Sequence, residues 1–295
     1  MQEKAKVINI GSINIDNVYQ VDHIVVPGET IASSDLKIFV GGKGANQSVA
    51  IARAGIEVFH VGKVGEDGIS AKDFLNSCGV NTDYIEVATD GTPTGHAIIQ
   101  LDSESENSII LFQGCNHKLE EASVKSVIDK MTEGDIMVLQ NEVNDMAKWI
   151  ELGHEAGLRI CFNPAPCDSS VKEYPLHLLE WLILNETEGA ILSGVEGNEQ
   201  VINKLQELYP NTKIIMTLGS KGACLIDGER RIEQEAEKVQ VVDTVAAGDT
   251  FAGYFVAGIV DGLSEKEALA RANRAAGICV GRAGAAQAIP SIDEL

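Results

Sequence analysis

Basic residues are scarce in this sequence: 23 Lys and Arg stand against 44 Asp and Glu in 295 residues, a formal net charge of −21. That balance argues against nucleic acids and anionic membrane surfaces as partners, because neutralising their phosphates takes clustered Lys and Arg in excess. A phosphorylated small ligand stays compatible, since backbone N–H groups can hold phosphate inside a globally acidic protein. Any nucleotide site is therefore expected to be built mainly from backbone.

Long apolar runs are missing too. No uninterrupted stretch reaches the roughly 18 residues of a membrane helix, and residues 1–10 carry only a short apolar run before Gly11-Ser12-Ile13-Asn14. Neither a signal peptide nor a membrane span is expected. The six cysteines (Cys78, Cys115, Cys161, Cys167, Cys224, Cys279) form no C-x-x-C and have no neighbouring His at zinc spacing. They read as reduced, mostly buried thiols of a cytoplasmic protein. Nor does any internal repeat, low-complexity tract or Pro/Gly/Ser linker divide the chain, so residues 1–295 read as one domain with an appendage.

What is present is alternation. Short β-rich runs at 5–10, 58–63, 135–139, 158–162, 181–184 and 213–217 read as buried strands. Between them lie helical faces such as Ala45, Val49, Ala52 and Ile56, or Ala268, Ala272, Ala276 and Cys279. This is the pattern of an α/β fold with a doubly wound, mostly parallel sheet flanked by helices. Two regions break the rhythm. Residues 21–40 hold Pro27-Gly28-Glu29 and then the alternating Leu36, Ile38 and Val40; residues 95–112 carry two strand-like runs around a polar loop at 102–107. They read as hairpins of a small, mostly antiparallel sheet, a lid whose strands come from about 13–40 and 95–112, with static decoration as the alternative.

Three glycine-rich or carboxylate-bearing segments carry chemistry. Gly41-Gly42-Lys43-Gly44-Ala45-Asn46-Gln47 enters a helix, where amides can meet an oxygen-rich ligand and Lys43 and Asn46 add donors. It matches neither the Walker A nor the G-x-G-x-x-G spacing, and simple turn geometry competes with a binding role. Upstream, Asn14 and Asp16 follow the first strand two residues apart, so on an extended segment they face one side and can grip adjacent hydroxyls; side-chain turns are the rival reading. The most informative stretch is Asp243-Thr244-Val245-Ala246-Ala247-Gly248-Asp249-Thr250-Phe251. Small residues before a helix let consecutive N–H groups point at one anion, and Asp249 beside them is either a helix cap or the general base of a phosphoryl transfer.

Lesser signals lie at other strand ends. Asn185-Glu186-Thr187-Glu188 reads as a capping box or as a pair ordering magnesium-bound water. Residues 217–222, Thr-Leu-Gly-Ser-Lys-Gly, form an ordinary turn or the wall of a nucleotide pocket, and Asn163-Pro164-Ala165-Pro166 reads as a rigid, structural exit.

Together these segments, with Gly62-Lys63-Val64-Gly65-Glu66-Asp67 and residues 282–290, resemble the ribokinase branch of the ribokinase-like, phosphofructokinase-B type sugar kinases. The resemblance runs nearly the whole chain, and its specificity lies in pairing the glycine-rich helix entry with Asp-Thr-x-x-Ala-Gly-Asp about 200 residues later. It implies phosphorylation of D-ribose at the 5-hydroxyl by ATP. The sugar would be held by Asn14, Asp16, Gly42, Lys43, Asn46 and Glu142, with Asp249 as base and the amides of Ala247, Gly248 and Asp249 behind Ala246 as anion hole. ATP would meet Asn185, Glu188, Thr217, Gly219, Gly222, Gly248 and Asn273, with Mg2+ organised by Asn185 and Glu188 through water. A potassium ion would lie among Asp243, Val245, Cys279, Arg282, Gly284 and Ala288, where Ala288 replaces a polar residue common in the family. The lid would also form a homodimer interface. Sister kinases for deoxyribose, a ketohexose or a nucleoside are the alternatives, with ring and hydroxyl discrimination assigned to lid side chains such as His96, Ile98 and Ile110. A non-catalytic sensor is disfavoured by the retention of Asp249 with its anion hole.

Overall fold

The computed structural model describes residues 4–104 and 106–295; Ser105 in the polar loop and residues 1–3 of the stretch read for a leader lie outside the described residues. In chain order the strands are β1 (Val7–Ile10), β2 (Asn14–Gln20), β3 (Asp35–Gly41), β4 (Val58–Val64), β5 (Ile85–Val87), β6 (Gly95–Leu101) and β7 (Asn107–Phe112). There follow β8 (Ile136–Gln140), β9 (Arg159–Asn163), β10 (Trp181–Asn185), β11 (Lys213–Thr217), β12 (Ala223–Asp227) and β13 (Arg230–Gln234). The α-helices are α1 (Lys43–Arg53), α2 (Ile69–Ser77), α3 (Glu121–Ile128), α4 (Met146–Glu155), α5 (Glu186–Ser193), α6 (Asn198–Leu208), α7 (Ala247–Val260) and α8 (Glu265–Val280).

The large sheet runs β13-β12-β11-β10-β9-β8-β1-β4-β5, parallel from β11 to β5 and antiparallel at β11-β12-β13. Its central strands are apolar on both faces because both are covered: β1 and β8 are buried at every position. One core packs α1, α2, α7 and α8 against one face, and a second packs α3, α4, α5 and α6 against the other. Helix α7 is buried nearly all round, between α1 and α8. Its Gly253 permits the close crossing, since a Cβ there would stand 2.4 Å from the Ala50 methyl on α1. Among the described residues no helix is long and apolar enough to cross a membrane.

A separate sheet, β3-β2-β6-β7, pairs β2 with β6 in parallel and the outer strands antiparallel. Residues 21–40 are not themselves a hairpin: 21–34 form an irregular connection, and the partner of β3 is β2. The polar face of β2 hides it from a pattern reading, because Asn14, Asp16 and Asn17 look like turn residues. The register also decides which side chains of this sheet face inward. Asp16 pairs with Ala97, Ala97 with Leu111, and Ile99 with Ile109, and these line the cleft below. His96, Ile98 and Ile110 have the opposite parity. Ile98 and Ile110 oppose each other on the outer face and His96 packs on Phe112, so these three do not border the cleft as expected; Ala97, Ile99, Ile109 and Leu111 do.

Candidate active site

The carboxyl ends of β1, β8, β9, β10 and β11 converge, which is where a parallel sheet leaves loops free to bind. They open into a cleft of about 450 Å³ roofed by the inner face of the small sheet. Asn14, Asp16, Gly42, Lys43, Asn46, Glu142 and Asp249 all border it, as do Asn185, Glu188, Ala246 and Gly248.

Each polar group there has a defined direction. Asn116 grips the Ile13 peptide from both sides, accepting its N–H at 2.9 Å and donating to its carbonyl at 3.2 Å. Its remaining hydrogen goes to Asn14 Oδ1 at 2.7 Å, so Asn14 presents its NH2 to the cleft. The Asp16 carboxylate lies over the backbone of Gly41, where a Cβ would come within 1.9 Å of Oδ2; the glycine is required for that close approach. Glu142 accepts from the Ser12 hydroxyl and from the Lys43 amide at 2.9 Å. Asp249 accepts from Asn46 Nδ2 at 2.9 Å on one oxygen and from Gln47 Nε2 at 3.1 Å on the other. Asn46 Oδ1 is buried with no protein partner among the described residues.

The cleft is rich in acceptors. Burial, reinforced by the charge of Glu142, pushes the Asp16 carboxyl up to about 6. Burial also raises Glu142 and Glu188, while the charge of Asp249 raises the Lys43 ammonium against its own desolvation. Four carboxylates facing one ammonium suit a neutral ligand carrying several hydroxyl donors.

A second cleft of about 470 Å³ adjoins the first and shares Thr217, Thr244 and Gly248 with it. Thr217, Gly219, Gly222 and Asn273 border it, beside apolar walls from Val239, Val241, Phe251 and Val280. Asn273 donates to the Gln234 carbonyl at 3.0 Å and so props the wall. Asn185 and Glu188 form a reciprocal capping box on α5, with bonds of 2.9 and 3.0 Å, and border the first cleft. The capping-box reading of that segment is thus the one seen in the hydrogen bonds. Between the clefts begins α7, whose first turn leaves the Gly248 and Asp249 N–H groups without intrahelical acceptors. Ala246 makes the preceding turn at φ 60, a left-handed conformation uncommon outside glycine.

Behind α7, Asp243 ties two loops together. Its oxygens accept from Val245 N at 3.0 Å and Gly284 N at 3.1 Å, while Cys279 Sγ lies 3.8 Å from the Val245 carbonyl. Arg282 pairs with Glu294, and Ala288 is a buried methyl.

Sequence reasoning missed Asn116, Ser12 and Gln47, which hydrogen-bond to residues of the cleft, and Thr244, which borders it, and read Asn163 as a mere strand exit although it borders the cleft too. Asn163 ends a parallel strand as Asn185 and Thr217 do, a signal that was available. Asn116 offered none, because its role depends on a contact with Ile13 across the fold.

A family model described as pfkB family carbohydrate kinase matches residues 4–292. The ribokinase of Haemophilus influenzae is 36% identical over 294 residues, covering 97% of this chain and 95% of that protein. The deoxyribokinase of Salmonella typhi is 31% identical, covering 97% of this chain and 95% of its own. The structure of Arabidopsis thaliana ribokinase complexed with ribose and ATP superposes with a TM-score of 0.87 at 31% identity, covering 99% of this chain and 97% of that one.

Proposed function

The chain belongs to the pfkB family of carbohydrate kinases and is a sugar kinase transferring phosphate to an alcohol, and on that premise we propose that it phosphorylates the 5-hydroxyl of D-ribose with ATP. The observation that carries this reading is the meeting of two clefts at the first turn of α7, with Asp249 on the side of the hydroxyl-binding one. Deoxyribose is the second reading, favoured by the similarity to a deoxyribokinase. Coupled ADP release across ribose, deoxyribose, fructose and adenosine tests both: the highest kcat/KM is expected with ribose, and a clear preference for another acceptor overturns the assignment.

In this reading Asn14, Asp16, Gly42, Lys43, Asn46 and Glu142 hold the sugar, and Asp249 takes the proton of the 5-hydroxyl. A primary alcohol is a poor nucleophile, so its oxygen attacks the γ-phosphorus as that proton leaves, while the bond to the ADP oxygen breaks. The N–H groups of Gly248 and Asp249, with Ala247 beside them, stabilise charge on the transferred phosphoryl. Thr217, Gly219, Gly222 and Asn273 hold the nucleotide. The inner lid side chains keep water from competing as acceptor.

Magnesium fits as a companion of the nucleotide rather than as a protein-caged ion. Among the described residues no three His, Cys, Asp or Glu side chains converge on a metal position, and Asn185 and Glu188 are partly engaged with each other. Glu188 and Asn185 would therefore reach it through water, and bound to ATP it neutralises phosphate charge. A monovalent cation would lie among Asp243, Val245, Cys279, Arg282, Gly284 and Ala288; in support, Asp243 ties together the two loops that carry them, while Ala288 brings no side-chain oxygen. Potassium suits carbonyl ligands, and it would fix the loops that carry the α7 amides. Initial rates are expected to rise with KCl at constant ionic strength set by choline chloride, and less with NaCl. A flat response overturns the site.

The outer face of the small sheet exposes Leu36, Ile38, Ile98, Ile110 and Phe112, an apolar patch that a second copy of the chain would cover as a homodimer. Six free thiols agree with a cytoplasmic location.

Asp16 makes sugar binding pH-dependent. Its ligand-free carboxyl titrates at about 6, and the protonated form loses an acceptor for a sugar hydroxyl. Ribose affinity should be level above pH 7 and fall about tenfold by pH 5, with proton release on binding in that range. Calorimetric titration from pH 5 to 8 checks it; a constant Kd would remove Asp16 from the sugar contacts.

A further inference from the structure

The amide that meets Asp249 has no freedom of direction. Asn9 Nδ2 donates to the Gly44 carbonyl at 2.8 Å, and a carbonyl only accepts, so Asn9 Oδ1 is the acceptor turned to Gln140. Gln140 Nε2 donates to it at 2.9 Å and gives its second hydrogen to Gln47 Oε1 at 2.8 Å. Gln47 is left with its NH2 toward Asp249 Oδ1, at 3.1 Å.

Two branches agree on that polarity. Asn163 donates to the Ile183 carbonyl at 2.9 Å, which turns its Oδ1 toward the Gln47 NH2 at 3.5 Å. Asn9 also donates to Ser48 Oγ at 2.8 Å, Ser48 to His60 Nδ1 at 2.8 Å, and His60 Nε2 to the Gly11 carbonyl at 3.2 Å. Burial pushes His60 down to about 4, so it stays neutral with its one proton on Nε2. Backbone carbonyls of Gly44, Ile183 and Gly11 thus orient every member. Asn9, Gln47, Ser48, His60 and Gln140 have no solvent exposure, so water cannot stand in for a lost partner.

We propose that Gln47 is a positioning residue for the base: the chain Asn9–Gln140–Gln47 delivers an obligate donor to Asp249 Oδ1 and, with Asn46 on Oδ2, fixes the plane of the carboxylate. A carboxylate free to rotate about its last bond presents different lone pairs to the substrate. Held at both oxygens, it keeps one pair aimed into the cleft, the alignment that proton transfer in a near-attack geometry requires. This inference rests on Asp249 being the base. A purely structural role, cross-linking β1, β8, α1 and α7, is the competing account.

The test uses Gln47→Met and Gln140→Met, singly and together, with kcat, both KM values and thermal unfolding measured on whichever pentose the wild type phosphorylates. Gln47→Met is expected to lower kcat about 10- to 100-fold with KM for sugar and ATP changed less than about threefold. Gln140 acts only through Gln47, so the double variant should fall no further than Gln47→Met alone. A kcat within twofold of wild type, or losses that multiply in the double variant, overturns the proposal. Should Gln47→Met fail to fold, Gln47→Glu keeps the bond from Gln140 and can donate to Asp249 only while protonated. Its kcat should then fall with rising pH relative to wild type, and a profile parallel to wild type overturns the proposal. A wild type active on deoxyribose but not ribose overturns the ribose reading and leaves this test in force, whereas one that phosphorylates no sugar overturns both.

Discussion

Asp249→Asn is expected to lower kcat by about 10²- to 10⁴-fold, the usual range for removing a general base, while ATP affinity changes little. Size and shape are kept, but the substituted amide cannot take the hydroxyl proton. It also offers one oxygen where Asp249 offers two, so either Asn46 or Gln47 faces a donor instead of an acceptor. The helix-start amides and the second cleft are untouched, which is why nucleotide binding should persist. Single-turnover phosphorylation in a rapid-quench experiment isolates the chemical step. A rate near that of wild type would reduce Asp249 to a helix-start residue that happens to lie in the cleft.

Asp16→Ala should weaken ribose binding by about 1.5 to 3 kcal/mol, the range for losing charge-assisted hydrogen bonds, and leave ATP affinity unchanged. The stability of the ligand-free protein should not fall with it. The folded-state pKa of Asp16, about 6, lies above the free value near 4, so keeping it ionised costs the empty fold. That cost grows as pH rises from about 4 through 6 and is fully present at neutral pH. Removing the carboxylate relieves it, so a thermal midpoint at or above that of wild type should accompany weaker sugar binding. Calorimetry with ribose and a thermal melt of the same sample check both halves. Unchanged ribose affinity would make Asp16 a structural residue of β2.

Much of this architecture is legible because hydrophobic pattern is local. The runs that became β1, β4, β8, β9, β10 and β11 are apolar on both faces, which only a sheet covered by helices on both sides explains. The segments rich in glycine, Asn and Asp fall at the carboxyl ends of those strands for the same reason: there the chain leaves the core and its backbone becomes available to a ligand. Asn14, Asp16, Lys43, Asn46, Asn185 and Asp249 could be singled out from their neighbours alone. Glu142 could not, since nothing around it distinguishes a buried carboxylate from a surface one, and only the family resemblance pointed to it.

The tertiary structure decided what depends on relative placement. Residues 95–112 carry two strand-like runs, but both faces of β6 and β7 are apolar, so no pattern could say that Ala97, Ile99, Ile109 and Leu111 look inward while His96, Ile98 and Ile110 look out. The bond from Gln47 to Asp249 joins residues 202 apart, and that from Asn116 to Asn14 spans 102. Amide side chains carry donor and acceptor on one group, and their sequence neighbours leave the choice open. Here backbone carbonyls at Gly44, Gly11 and Ile183 make that choice. Periodicity and strand-end chemistry determine the fold and the neighbourhood of the site, because they are properties of contiguous residues. Side-chain direction and hydrogen-bond polarity belong to contacts that exist only after the chain has closed on itself.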